Sequence, residues 1–189
     1  MSAEFNNHQS PQQLQAELED IRRAQENSAA FEVLYNRYFE MVVRFIYQRV
    51  DTKDEAFEIA QQVFLKALLG IQKYTYRGVP FSAWLIRIAL NEMNMMFRSN
   101  KAKRAVNIDD AQLKYIADEF DDGITEERHA MIAKALAKLE EEDLMLIEMR
   151  FFEKRQFKEI ASIYNITEAN AKARLYRVIE KIKHILRIK

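Results

Sequence analysis

FKEIASIYNITEANAKARLYRVIEKIKHILRIK, residues 157–189, carries the sharpest pattern in the chain. Phe157, Ile160, Ala161 and Tyr164 recur on one face of a short helix. Ala161 supplies the small side chain needed where a second helix crosses close by. Asn165 stands at the break, and Asn tolerates the left-handed conformation better than most residues after Gly. Ile166 plugs the junction, and Thr167 is suited to cap the helix that follows. Ala171, Leu175, Val178, Ile182 and Ile185 then mark a long buried stripe, with Asn170, Lys172, Ala173, Arg174, Tyr176 and Arg177 on the opposite face. The pattern predicts a helix-turn-helix whose second helix fits the major groove. Arg and Lys bond guanine O6 and N7 there, Asn bonds adenine, and Ala meets a thymine methyl.

Surface helices commonly show Lys and Arg, so the pattern alone does not separate DNA binding from a solvated face. Charge segregation weighs for DNA. The whole chain of 189 residues balances 29 basic against 29 acidic side chains. Residues 149–189 nevertheless carry 11 basic and 4 acidic residues, and residues 105–148 carry 4 basic and 13 acidic. Arg98 to Arg104 holds four basic residues and no acid. A net charge of zero is here a sum over separated blocks, and it does not argue against nucleic acid.

Working back toward the N-terminus, three Gly and two Pro leave few breakers, too few for a many-stranded fold. The expectation is an all-α chain: two helical domains joined by a linker, the C-terminal one with the helix-turn-helix. Residues 1–27 read as a leader that includes an amphipathic helix, Gln12 to Glu26, with Leu14, Leu18 and Ile21 on one side. Residues 28–101 read as the first domain. Phe31, Leu34, Tyr35, Tyr38, Val42, Phe45 and Ile46 recur at helical spacing, then Ala56, Ile59, Ala60, Val63, Phe64, Ala67 and Leu68. Thr52 with Glu55 fits a capping box, and Gly70 suits a left-handed helix end. Phe81 to Arg98 is the third strong helix, with Trp84, Leu85, Ile88, Ala89 and Met96 inside. The loop before it is rich in Tyr. Residues 102–124 read as an acidic linker with a short helix around Ala111 to Ala117. Residues 125–189 read as the second domain: Thr125 caps its first helix, and the next carries Leu144, Ile147, Phe151 and Phe152.

Enzymatic readings fare badly. The chain has no cysteine, which excludes a thiolate nucleophile and a disulfide framework. His8, His129 and His184 are scattered without partners at metal-ligand spacing, and three glycines make no phosphate loop. Met93, Met95 and Met96 read as packing. No metal or cofactor is expected. No apolar run reaches the roughly 18 residues of a membrane span, and the first residues lack the basic and apolar regions of a signal peptide. Membrane insertion is not expected, and the expected location is the cytoplasm.

These residues resemble a known family. The stretch from Leu136, LAKLEEEDLMLIEMRFFEKRQFKEIASIYNITEANAKARLYRVIEKIKHIL, is similar to the promoter-reading C-terminal domain of bacterial RNA polymerase sigma factors. Phe31 to Arg98 is similar to their polymerase-binding and promoter-melting domain. The order of domains resembles the extracytoplasmic-function group of the sigma-70 family, over about Ala30 to Ile185.

The resemblance implies that the helix with Glu58, Gln61, Gln62, Phe64 and Leu65 faces the β′ clamp helices of core polymerase, and that the C-terminal domain meets the β flap. Relatives usually have an acid where Gln62 stands. It implies that Tyr74, Tyr76, Arg77, Arg87, Asn91, Arg98 and Lys101 serve the minus-ten element, with Tyr76 beside a flipped base, Asn91 lining its pocket, and Arg87, Arg98 and Lys101 on phosphates. Aromatic stacking on an unpaired base is worth about 1–3 kcal/mol. Tyr74 and Tyr76 read equally as packing, whereas Phe81 and Trp84, at i and i+3, read as core. For the minus-thirty-five element it implies Lys172, Ala173, Tyr176 and Arg177 on bases, and Arg150, Lys158, Asn170 and Arg174 near phosphates. Glu153-Lys154-Arg155-Gln156 replaces the Gly and Ser cap usual in relatives, which predicts a different turn there and an added phosphate contact from Arg155. An anti-sigma partner is also implied, although no residue here identifies one.

The function expected is therefore a sigma factor that directs core polymerase to promoters. The rival is a stand-alone helix-turn-helix regulator of duplex DNA; a purely protein-binding helical module is the third class.

Overall fold

A computed structural model describes residues 10–100, 131–132, 134–136 and 138–186, and every regular element among them is a helix. They belong to two compact units. The linker at 102–124, the Ala111–Ala117 helix, the Thr125 cap and Lys101 lie outside the described residues, as does the side chain of Arg98.

The first unit begins with α1, Pro11–Glu26. Ser10 accepts a hydrogen bond from the Gln13 N–H at 3.2 Å, and the Gln13 side chain accepts from the Ser10 N–H at 2.8 Å. This capping box, with Pro11 at the first helical position, was legible in the sequence Ser-Pro-Gln-Gln and missed. Arg22 pairs with Glu19 at 2.9 Å and Glu26 at 2.8 Å along the exposed face. Of the expected face Ile21 is buried and Leu14 and Leu18 are only half-buried; Glu17 and Ala24 complete the inner side.

Helices α2, Phe31–Tyr47, and α3, Lys53–Gly70, pack on each other and on α4, Phe81–Asn100. Leu34, Val42, Ile46, Ala60, Val63 and Ala67 are fully enclosed at their seams. Each large apolar side chain so buried contributes about 1.5–3 kcal/mol. Tyr35 stacks on Phe39 at 4.8 Å, and Phe39 lies 5.7 Å from Phe64.

Three details depart from expectation. Thr52 does cap α3, accepting from the Glu55 N–H at 3.2 Å, but the Glu55 carboxylate reaches back to the Asp51 N–H at 3.3 Å instead of to Thr52. Gly70 is right-handed (φ −94°, ψ −9°), because the chain runs straight into the tight turn Ile71–Lys73. On α4 the inner face is turned relative to the expected one. Phe81, Leu85, Ile86, Ala89, Leu90 and Met93 are buried, whereas Trp84, Ile88 and Met96 are partly exposed. This helix is apolar over much of its circumference, so periodicity fixed its phase poorly.

The second unit holds helical residues at 131–132 and 134–136, then α5, Glu141–Ile147, which widens into a π turn at Glu148–Phe152. Helices α6, Phe157–Tyr164, and α7, Glu168–Leu186, follow. Ala161 is buried where α6 packs on α7. Asn165 takes the left-handed conformation (φ 54°, ψ 45°), the Ile166 N–H closes the turn on the Ala161 carbonyl at 2.9 Å, and Thr167 caps α7 through the Asn170 N–H at 3.2 Å. Ala171, Leu175, Val178 and Ile182 form the buried stripe; Ile185 lies at its exposed end.

Candidate nucleic-acid interface

On α7, Asn170, Lys172, Ala173, Tyr176 and Arg177 are all exposed; Tyr176 is 62% exposed. Arg174 is half-buried and lines a cleft with Glu142, Asp143, Tyr164 and Asn170. The Arg177 guanidinium donates to the Ala173 carbonyl at 3.3 Å, one turn back on the same helix. Lys172 pairs with Glu168 at 3.0 Å, a contact across water-exposed surface that is cheap to exchange for a phosphate. Lys158 is exposed on α6.

The turn before α6 is built around Arg155. Its guanidinium is 1% exposed, donating to Glu153 at 2.6 Å and lying 3.6 Å from Glu159. Arg155 is therefore not the added phosphate contact expected from the sequence; two buried carboxylates hold it inside. Arg150 donates to the Arg155 carbonyl at 2.9 Å, and its guanidinium lies 4.8 Å from the Phe157 ring centre. The Lys172 ammonium lies 5.5 Å from the same ring. Phe157, expected only as packing, thus gathers two cations, one from the π turn and one from α7. Lys154 takes a left-handed conformation (φ 51°), one that glycine adopts at least cost, within the turn Glu153-Lys154-Arg155-Gln156.

In the first unit, Tyr76 and Arg77 are exposed in the loop between the Ile71–Lys73 turn and α4; Tyr76 is 40% exposed. Tyr74 is placed differently. Its ring is 5.1 Å from Phe81 and 4.9 Å from Trp84, and burial, with Glu17 and Tyr76 adding to it, pushes its phenol well above the ordinary range, against the pull of Arg87. Tyr74 is thus the packed foot of the loop, and Tyr76 its free tip. Gly78 carries the loop's positive φ, 74°. On α4, Asn91 is exposed and Arg87 half-buried.

Glu58, Gln61, Gln62 and Leu65 share an exposed stripe of α3, while Phe64 points into the core at 3% exposure. Leu69, four residues beyond Leu65, extends the stripe and is 75% exposed. That i, i+4 apolar pair in the outward phase was legible but unread.

Among the described residues, no group of His, Asp or Glu is placed to hold a metal ion. None of the described helices is long and apolar enough to cross a membrane.

Two helical units follow in series, and the second closes on a helix-turn-helix whose last helix exposes Lys172, Tyr176 and Arg177. Residues 34–103 match the family model Sigma-70 region 2, and residues 135–184 match Sigma-70, region 4. The chain belongs to the sigma-70 family, in its extracytoplasmic-function group. It is 29% identical over 172 residues to the ECF RNA polymerase sigma factor BldN of Streptomyces coelicolor, covering 89% of this chain and 65% of that one. It is 26% identical over 155 residues to SigM of Bacillus subtilis, covering 79% and 91%. The solved structure of CnrH in complex with the cytosolic domain of CnrY shares the fold, with TM-score 0.57 and 20% identity over 90% of this chain and 97% of that one.

Proposed function

We propose that this chain is a sigma factor: it binds core RNA polymerase and directs it to promoters, in the cytoplasm, and does no covalent chemistry itself. The observation that carries this reading is the pairing, in one chain and in family order, of a region 2 domain with a region 4 domain whose helix-turn-helix leaves Lys172, Ala173, Tyr176 and Arg177 exposed. In this reading Lys172, Ala173, Tyr176 and Arg177 meet base edges of the minus-thirty-five element, and Lys158, Asn170 and Arg174 lie near phosphates. Arg150 acts there as one of the cations gathered on Phe157. Tyr76, Arg77, Arg87 and Asn91, with Arg98 and Lys101, serve the minus-ten element. Tyr74 serves it by supporting Tyr76.

The α3 stripe from Glu58 to Leu69 docks on the β′ clamp helices, its apolar half supplied by Leu65 and Leu69; the second domain meets the β flap. Gln62 takes part through hydrogen bonding, since it lacks the charge of an acid. An anti-sigma factor is a further partner, supported by family membership.

The test is run-off transcription from a randomised promoter library by core polymerase, with and without the chain. Transcripts that depend on the chain and share two spaced elements are expected. Transcription indifferent to the chain, together with no stable core complex, would return the choice to a stand-alone helix-turn-helix regulator.

A further inference from the structure

Helix α1 is mostly polar, yet it buries a carboxylate completely: Glu17 is 0% exposed. The Tyr38 hydroxyl of α2 donates to one Glu17 oxygen, and the Phe81 N–H donates to the other at 3.2 Å. Phe81 is the first residue of α4, so this N–H is one of the donors that a helix start leaves without an intrahelical partner, and a negative charge there also suits the helix dipole.

Eight residues further along α1, about 12 Å at about 1.5 Å per residue, the Gln25 amide donates to the carbonyls of Ile71 and Tyr74, each at 2.9 Å. Gln72 returns a hydrogen bond to the Gln25 carbonyl. The two anchors bracket residues 74–80. One end of the Tyr76 loop is tied to Gln25 and the other to Glu17, while Tyr76 and Arg77 between them remain exposed.

We propose that Glu17 and Gln25 form a two-point latch by which α1 sets the shape of the melting loop, making them positioning residues for Tyr76 in strand opening. The proposal rests on the reading of that loop as the minus-ten element's partner. It gives the N-terminal helix a task of its own: the loop's geometry is held by an element that precedes both matched domains. Loss of either anchor frees one end of the loop without removing any group that meets DNA.

Trp84, the chain's one tryptophan, packs against Tyr74 and Phe81 and so reports on both ends of the loop. The first arm uses the full chain alone. Glu17→Gln keeps the side chain's size but puts an amide where two donors converge. Acrylamide quenching of Trp84 should rise by about twofold, and exchange of the Phe81 amide by about tenfold or more, as expected for loss of a buried charge-assisted hydrogen bond. Gln25→Ala, at a part-buried site, should raise Trp84 quenching while leaving Phe81 exchange close to wild type. Ile59→Ala, which removes core volume but neither anchor, serves as the stability control.

The second arm uses core polymerase and a promoter recovered from the library. Both latch variants should slow open-complex formation on duplex promoter by about tenfold, and much less on a pre-melted one, with core affinity unchanged. Unchanged quenching and exchange in Glu17→Gln would overturn the latch. So would equal defects on duplex and pre-melted DNA, or the same pattern from Ile59→Ala. A wild-type chain inactive with core polymerase sinks the sigma reading and the melting role together, and the first arm, which needs neither DNA nor polymerase, tells that failure from failure of the latch.

Discussion

The helix-turn-helix and the Tyr76 loop hold the side chains proposed to face nucleic acid by opposite means. On α7 a single helix, capped by Thr167 and seated by Ala171, Leu175, Val178 and Ile182, fixes the direction of each side chain proposed to read DNA. Its outward face follows from its inward one. The loop has no such internal rule. One end is held by the Gln25 amide, which donates to Ile71 and Tyr74, and the other by Glu17, which accepts from the Phe81 N–H, across 46 to 64 positions of sequence. A reading face built on one helix is robust and legible, whereas a loop held from elsewhere is adjustable and nearly silent in sequence.

Arg155→Ala should destabilise the second unit by about 3–5 kcal/mol, because it removes the buried guanidinium that lies between the buried carboxylates of Glu153 and Glu159. Urea unfolding followed by circular dichroism measures this; a loss confined to DNA affinity would restore Arg155 to the interface. Arg177→Ala should cost about 1–3 kcal/mol against the preferred upstream element and little against other sequences. A loss uniform over sequences, read by competition binding with the polymerase complex, would make Arg177 a phosphate contact.

Tyr76→Ala should remove about 1–3 kcal/mol of stacking on an unpaired base. Its defect should be greater on duplex than on pre-melted promoter. Tyr74→Ala, in contrast, should lower the melting temperature of the first unit, since its ring is wedged between Phe81 and Trp84. If the two tyrosines behave alike in both assays, the division into foot and tip fails. Smallest of all, Lys154→Gly should stabilise the second unit by at most about 1 kcal/mol, relieving a left-handed residue with a side chain at some cost in unfolded-state entropy. Thermal unfolding decides the sign.

Where a residue's role follows from the helix it sits on, the sequence was informative. The turn at Asn165, the Thr167 cap, the small Ala161 and the exposed set from Asn170 to Arg177 all obey a local 3.6-residue rule. The phase of α4 escaped that rule, because apolar residues run around much of the helix and only contact with α2 and α3 selects the side that faces in. Arg155 escaped it for another reason. A guanidinium in a Glu-Lys-Arg-Gln turn reads as solvated until Glu153 and Glu159 are seen to close on it.

The sequence by itself determined an all-helical chain, its helix-turn-helix and the outward face of the recognition helix, because each is set by interactions within about one or two helical turns. Tertiary structure alone decided that Glu17, within the acidic run Glu-Leu-Glu-Asp, is the buried member while Glu19 lies outside. It also decided that Tyr74 supports where Tyr76 reaches. Desolvating a carboxylate is tolerable only where donors from distant segments converge on it, and no local pattern announces where α1, α2 and α4 will meet.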